Sequence, residues 1–266
     1  MCLSQVDNFA RRIKVKITFL GTGTSHGVPV VGCDCDVCKS NDRRNNRTRS
    51  SIWVQVNDVN LLIDTANEFR IQALRSGIKT IDAVLYTHCH ADHVFGFDDL
   101  RIFSQRSGKP IPYFGNRETL AEIKQVFSYV FRKTQIGGGK PQVKPIVVEQ
   151  EFAFGGVKIM PIPIYHGMLP IYGYRIGNMA YITDCSKLPA ESKQLLLGLE
   201  VLILGVVRYQ PHPTHMHVEA ALELVDSLSP QRTFFTHVSH LLEHNEVNSK
   251  LPPGVELAYD GLTIKI

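Results

Sequence analysis

No uninterrupted apolar run in this sequence reaches the roughly 20 residues that a helix needs to cross a bilayer, which excludes a helical membrane span. The segment from Met1 to Lys16 carries Asp7, Arg11, Arg12, Lys14 and Lys16 and lacks the apolar stretch of a secretion signal, so a cytoplasmic protein is expected. Charge of one sign is also scarce: 29 Lys and Arg against 25 Asp and Glu leave a net +4. Apart from Arg43-Arg44-Asn45-Asn46-Arg47-Thr48-Arg49 the basic residues are scattered, so extended nucleic acid is not expected as a partner, and a local anion site stays open. Neither an internal repeat nor a low-complexity linker divides the chain. Its 266 residues, 44% of them hydrophobic, suffice for one α/β core, expected as a single domain over 1–266 with 1–14 as a flexible N-terminal extension.

What the sequence does have is Tyr86-Thr87-His88-Cys89-His90-Ala91-Asp92-His93, three imidazoles and a carboxylate within six residues. The preceding Ile81-Asp82-Ala83-Val84-Leu85-Tyr86 is apolar and partly β-branched, so the cluster sits where a buried strand ends. Imidazole and carboxylate are ligands for Zn, Mn, Fe or Ni, and a strand end running into a helix start aims several of them at one point. A solvated loop has no reason to gather ligands at this spacing.

The H-x-H-x-D-H string resembles the signature of the metallo-β-lactamase fold superfamily. That resemblance implies a four-layer αββα sandwich holding one or two metals, and further ligands at later strand ends. His166 follows Val157 to Ile164, Asp184 follows Met179 to Thr183, and His237 follows Thr233 to Thr236. Carried over by position, His88, His90 and His166 would hold one divalent ion, Zn or Mn, and Asp92, His93 and His237 a second, with Asp184 bridging. Asp64, at the end of Asn60 to Asp64, would support the signature loop through hydrogen bonds.

Three of the six cysteines form a C-x-C-x-x-C knot, Cys33-Asp34-Cys35-Asp36-Val37-Cys38. Thiolates this close suit a structural Zn better than disulfides. The fourth ligand is expected from His240, three residues after His237, although idle reduced thiols or completion by Asp34 or Asp36 are alternatives.

Glycine-rich Gly21-Thr22-Gly23-Thr24-Ser25-His26-Gly27 after a first strand reads equally as an anion cradle or a tight turn. Ser51 to Val56 and Asn60 to Asp64 read as a hairpin with Trp53 in the core. Helices are expected at Phe69–Arg75, Asp98–Gln105, Arg117–Arg132, Pro189–Leu197 and Val218–Leu228. The 117–132 helix should bury Leu120, Ile123, Val126, Phe127 and Val130. Gly137-Gly138-Gly139 reads as a surface loop or flap. His212-Pro213-Thr214-His215-Met216-His217 opens the helix from Val218. There His215 matches the general-acid histidine of phosphodiesterases in the superfamily, with His212 and His217 as surface or capping residues.

The G-T-G-T-S-x-G-V-P loop with its cysteine knot and the T-H-x-S-H end resemble the phosphoribosyl 1,2-cyclic phosphate phosphodiesterase family of the carbon–phosphorus lyase pathway, over nearly the whole chain. This implies hydrolysis of a small cyclic phosphodiester, with Asp92 and His215 catalytic. A homodimer is left open. Ribonuclease Z shares the core motif but grips RNA with a long arm that has no counterpart here. A non-catalytic, metal-stabilised binding module is the remaining alternative.

Overall fold

The computed structural model describes residues 14–133 and 139–266. Residues 1–13 of the expected N-terminal extension and Gly137-Gly138 of the expected flap lie outside them. The first sheet contains β1 (Val15–Gly21), β2 (Ser51–Val56), β3 (Val59–Ile63), β4 (Ala83–Leu85), β5 (Ile111–Gly115) and β6 (Val143–Val147). The second contains β7 (Phe152–Phe154), β8 (Val157–His166), β9 (Leu169–Ile176), β10 (Met179–Ile182), β11 (Val201–Gly205), β12 (Arg232–Thr236) and β13 (Val255–Leu257). The chain then returns as β14 (Thr263–Lys265), which joins the first sheet beside β1, giving the orders β14-β1-β2-β3-β4-β5-β6 and β13-β12-β11-β10-β9-β8-β7.

Alternation along each strand produces three apolar layers. Ile17, Phe19, Val54, Leu61, Ile63 and Leu85 meet Met179, Tyr181, Val201, Ile203 and Phe234 between the sheets. The opposite faces of the same strands, including Trp53, Leu62 and Val84, pack under helices α1 (Phe69–Ser76), α2 (Ala91–Val94), α3 (Leu100–Ser107), α4 (Arg117–Val126) and α5 (Ser128–Phe131). On the far side, Ala180, Leu202, Leu204 and Phe235 are covered by the region of α6 (Ala190–Gln194), α7 (Val218–Leu228) and α8 (His244–Asn248). Two mixed sheets flanked by helices make the αββα sandwich.

The helices differ from expectation in three places. The 117–132 segment breaks at Phe127, whose φ of −99° and ψ of 38° leave the helical region, and Val126 is half exposed rather than buried. Residues 97–99 form a 3₁₀ turn ahead of α3, and Pro189 precedes α6 instead of starting it. β5, β6 and α8 had no sequence-based counterpart.

β3, β4 and β5 run parallel, as do β10, β11, β12 and β13, while β8 and β10 both pair antiparallel with β9. The ends of β3, β4, β8, β10 and β12 therefore open on one rim, and every expected metal ligand outside the cysteine knot lies there.

Candidate metal centre

Asp184 is the hub of this rim. It is almost fully buried, and its two carboxylate oxygens face different imidazoles. Oδ1 lies 3.4 Å from both His93 Nε2 and His237 Nδ1. Oδ2 lies 3.9 Å from His88 Nε2, 4.0 Å from His166 Nε2 and 3.8 Å from His215 Nδ1. Asp92 Oδ2 approaches His93 Nε2 at 3.2 Å. Ligand atoms of Asp92, His93, Asp184 and His237 all lie within 4.8 Å of one another, and so do those of His88, His90 and His166.

Three of the remaining ring nitrogens are tied down. His93 Nδ1 is 2.7 Å from Asp64 Oδ2, His88 Nδ1 is 3.0 Å from Thr87 Oγ1, and His166 Nδ1 donates to Thr214 O at 2.7 Å. Asp64 also accepts from the Thr87 N–H and hydroxyl, each at 2.8 Å. These bonds orient His93, His88 and His166, and around the centre His88 Nε2, His93 Nε2, His215 Nδ1 and His237 Nδ1 are buried and make no hydrogen bond. A buried polar atom left unmade costs about 1–3 kcal/mol, so four converging on one point mark a missing common partner.

Charge points the same way. Burial raises the Asp184 carboxyl, but the imidazoles of His237 and His93 more than reverse this and hold it well below the usual carboxylate range. Burial would also lower the His93 imidazole, yet Asp92, Asp184 and Asp64 around it push it well above its ordinary value. Among the described residues neither Asp92 nor Asp184 pairs with Lys or Arg. Bond lengths of about 2.0–2.1 Å put the edge between two tetrahedral ligands near 3.3 Å. The 3.2–3.4 Å separations of Asp92, His93, His237 and Asp184 Oδ1 match such an edge. The donor set fits divalent cations.

Backbone strain accompanies the chemistry. Asp64, Asp184 and His237 have φ of 62°, 52° and 57°, the left-handed region that side chains other than glycine rarely occupy. Such residues persist at functional sites because the surroundings over-determine them, at a cost of about 1–3 kcal/mol each. Nothing in the residue types announces this; strand-end position was the available clue.

A second cluster joins Cys33, Cys35 and Cys38 to His240, three residues after His237. The sulfurs of Cys33, Cys35 and Cys38 stand 3.3, 3.5 and 3.4 Å from one atom, His240 Nδ1. One nitrogen cannot hydrogen-bond three thiols, whereas a tetrahedral Zn with ligands at about 2.3 and 2.0–2.1 Å requires sulfur–nitrogen edges near 3.6 Å. Neither Asp34 nor Asp36 belongs to the cluster; Asp34 pairs instead with Lys39 at 3.0 Å. Bonding to the Cys38 N–H, partly offset by burial, lowers the Cys35 thiol to about 6, while burial raises Cys38 to about 11.

The glycine loop holds the two clusters together. Val238 N–H donates to Thr22 O at 2.8 Å, and Thr24 N–H returns a bond to Val238 O at 3.2 Å. A Cβ on Gly21 would stand 2.0 Å from Arg49 O, so close packing rather than an anion requires glycine there; Gly27, at φ 67°, makes the turn. Arg47, within the basic run Arg43 to Arg49, is buried. It donates to Thr22 Oγ1 at 2.9 Å and Ala258 O at 2.5 Å. His215 lies beside the hub, with its ring stacked 5.1 Å from His237 and burial lowering it to about 3. His217 immediately precedes α7, but its side chain caps nothing; His212 packs 4.9 Å from His215.

A profile of the beta-lactamase superfamily domain matches residues 59–238, which holds Asp64, the signature and all the later strand-end ligands. The chain belongs to the beta-lactamase superfamily. Among solved structures, a superfamily neighbour described as a new diphosphatase from the PhnP family is 44% identical, covers 95% of this chain and 97% of its own, and superposes with a TM-score of 0.90. Among curated proteins, an octanoyltransferase of Porphyromonas gingivalis is 38% identical over 93% of this chain and 51% of its own length. Ribonuclease Z of Clostridium novyi is 25% identical over 41% of this chain and 32% of its own. The chain thus spans about half or less of these curated relatives. Superfamily membership implies a site for divalent metal, and no helix among the described residues is long and apolar enough to cross a membrane.

Proposed function

We propose that this chain, acting as a single domain, is a phosphodiesterase with two divalent ions, and that it hydrolyses a small cyclic phosphodiester such as 5-phosphoribosyl 1,2-cyclic phosphate. The observation that carries the reading is the division of Asp184: one oxygen faces His93 and His237, the other His88, His166 and His215. His88, His90 and His166 would hold one ion and Asp92, His93 and His237 the other, with Asp184 shared. When bound, such a pair supplies a nucleophile at neutral pH and offsets charge on the phosphoryl oxygens. Six terminal ligands and one shared carboxylate leave positions open, unlike a closed structural site, which argues against a pure binding module.

The chain's own groups do the rest. Asp64 and Thr87 keep His93 and His88 in one ring orientation. Asp92, adjoining His93, orients the attacking group. His215 would protonate the departing ribose oxygen or steady the charge of the pentacoordinate phosphorus, from a ring held against His166 at 4.6 Å and His237. Cys33, Cys35, Cys38 and His240 would hold a structural Zn that fixes the loop bearing His237.

The 44% identity to a diphosphatase supports a second reading, a diphosphate ester cleaved at the same centre. Phosphorus NMR decides between them, with the metal-loaded enzyme given 5-phosphoribosyl 1,2-cyclic phosphate, ADP-ribose, a linear dinucleotide and a precursor transfer RNA. Selective opening of the cyclic phosphate is expected. Cleavage of ADP-ribose alone transfers the reading to diphosphates, and cleavage of the RNA alone to ribonuclease Z activity.

A further inference from the structure

Beside the metal centre, a cleft of about 420 Å³ runs from His237 and His215 toward His240. Its size suits an organic ligand larger than phosphate alone. Four cations, Arg70, Arg101, Lys140 and Arg208, can be compared as contacts for a ligand phosphate. Arg70 and Arg101 line a separate hollow beside α1 and α3, and the Lys140 amine donates to Arg132 O. Arg208 alone of the four lines the cleft.

Its position is fixed from several sides. The Arg208 carbonyl accepts from Val218 N–H at 3.0 Å, and its neighbour Val207 is bonded to Met216 and Ser239. The guanidinium donates from Nε to Gln210 O at 3.1 Å and from Nη2 to Pro211 O at 2.6 Å. Two of its five N–H donors are thereby spent on holding the group still, and three remain. His212 stands on the same wall, between this cation and His215 in sequence, with its ring against that of His215.

A positioned guanidinium beside a phosphodiester site, with donors to spare, is suited to bind an anion by paired charge-assisted hydrogen bonds. We infer that Arg208 reads a second anionic group of the substrate, remote from the phosphorus under attack, so that the site selects phosphodiesters bearing an additional phosphate. The inference rests on the phosphodiesterase reading above and narrows it. The substrate lies along the cleft with its scissile phosphate at Asp184 and its other phosphate at Arg208.

The test compares 5-phosphoribosyl 1,2-cyclic phosphate with ribose 1,2-cyclic phosphate, which differs only in lacking the remote phosphate. Wild type should prefer the first. Arg208→Gln should lower that preference by about 10- to 100-fold, mainly through KM, as loss of a charged hydrogen bond predicts; Arg208→Lys should keep part of it. An equal fall for both substrates would mean that Arg208 only braces residues 208–211 and would overturn the inference. So would a wild type indifferent to the remote phosphate. If wild type opens neither compound, the cyclic-phosphate reading is at fault. Arg208 is then judged by competition against bis(p-nitrophenyl) phosphate turnover. Stronger inhibition by ribose 5-phosphate than by ribose, lost in Arg208→Gln, sustains it, and equal inhibition in both proteins sinks it.

Discussion

Two ligand clusters share the loop 236–240 yet are built on opposite principles. The Asp184 centre gathers residues from five strand ends, is buried except toward His90 and His166, and rests on left-handed backbone at Asp64, Asp184 and His237. The cysteine cluster draws three of its four members from six consecutive residues, and Cys35 is exposed. The first exists only because the two sheets are assembled; the second is largely local and could form around its ion with little else in place. A centre that must leave room for substrate needs rigidity from the fold, whereas a closed site is rigid once its ion binds.

The sharpest way to break this contrast is Asp184→Asn. Losing the shared charge should remove turnover below detection and lower metal content at the centre while the cysteine cluster keeps its ion, measured by metal analysis with activity. Next, His215→Ala should reduce kcat by about 10²–10⁴ with metal content full; loss of metal would make His215 a ligand instead. Asp64→Asn replaces the acceptor of the His93 N–H and should weaken metal binding at the centre by about 10- to 100-fold, read by chelator titration.

Cys38→Ser addresses the other cluster. It should lower the melting temperature and release one equivalent of zinc while the Asp184 centre still binds metal, and a Tm equal to wild type would mean that the cluster does not brace the loop. The smallest effect concerns pH. His244 Nδ1 is 3.1 Å from the buried Arg47 guanidinium, and burial with this neighbour lowers the imidazole to about 4. The unfolded chain binds this proton near pH 6.5, so stability from a neutral His244 is full above that pH and is lost as pH falls from about 6.5 toward 4. Urea midpoints of wild type should drop over this window more than those of His244→Gln.

Much of the architecture was legible because β1 alternates apolar and polar residues, while β10 and β11, buried along their whole length, read as unbroken apolar runs bounded by turns. β6 was hidden because Pro145 and its exposed residues erase that pattern at a sheet edge, and Pro112 does the same within β5. The break at Phe127 is a backbone event inside a good helical pattern. At the site, imidazoles and carboxylates after apolar runs could be found by eye. Their left-handed φ could not, and neither could the burial of Arg47, whose partners Thr22, Ala258 and His244 are distant in the chain. Arg208 is one of many scattered cations in the sequence, and only the fold sets it on the cleft.

The left-handed backbone at Asp184 has a practical corollary. After glycine, asparagine is the residue that tolerates this conformation best, and it matches aspartate in shape. An Asp184→Asn protein should therefore keep its architecture while its chemistry is silenced. That separates shape from charge: loaded with metal only at the cysteine cluster, it would report through its melting temperature how much of the fold's stability the ions at the centre supply.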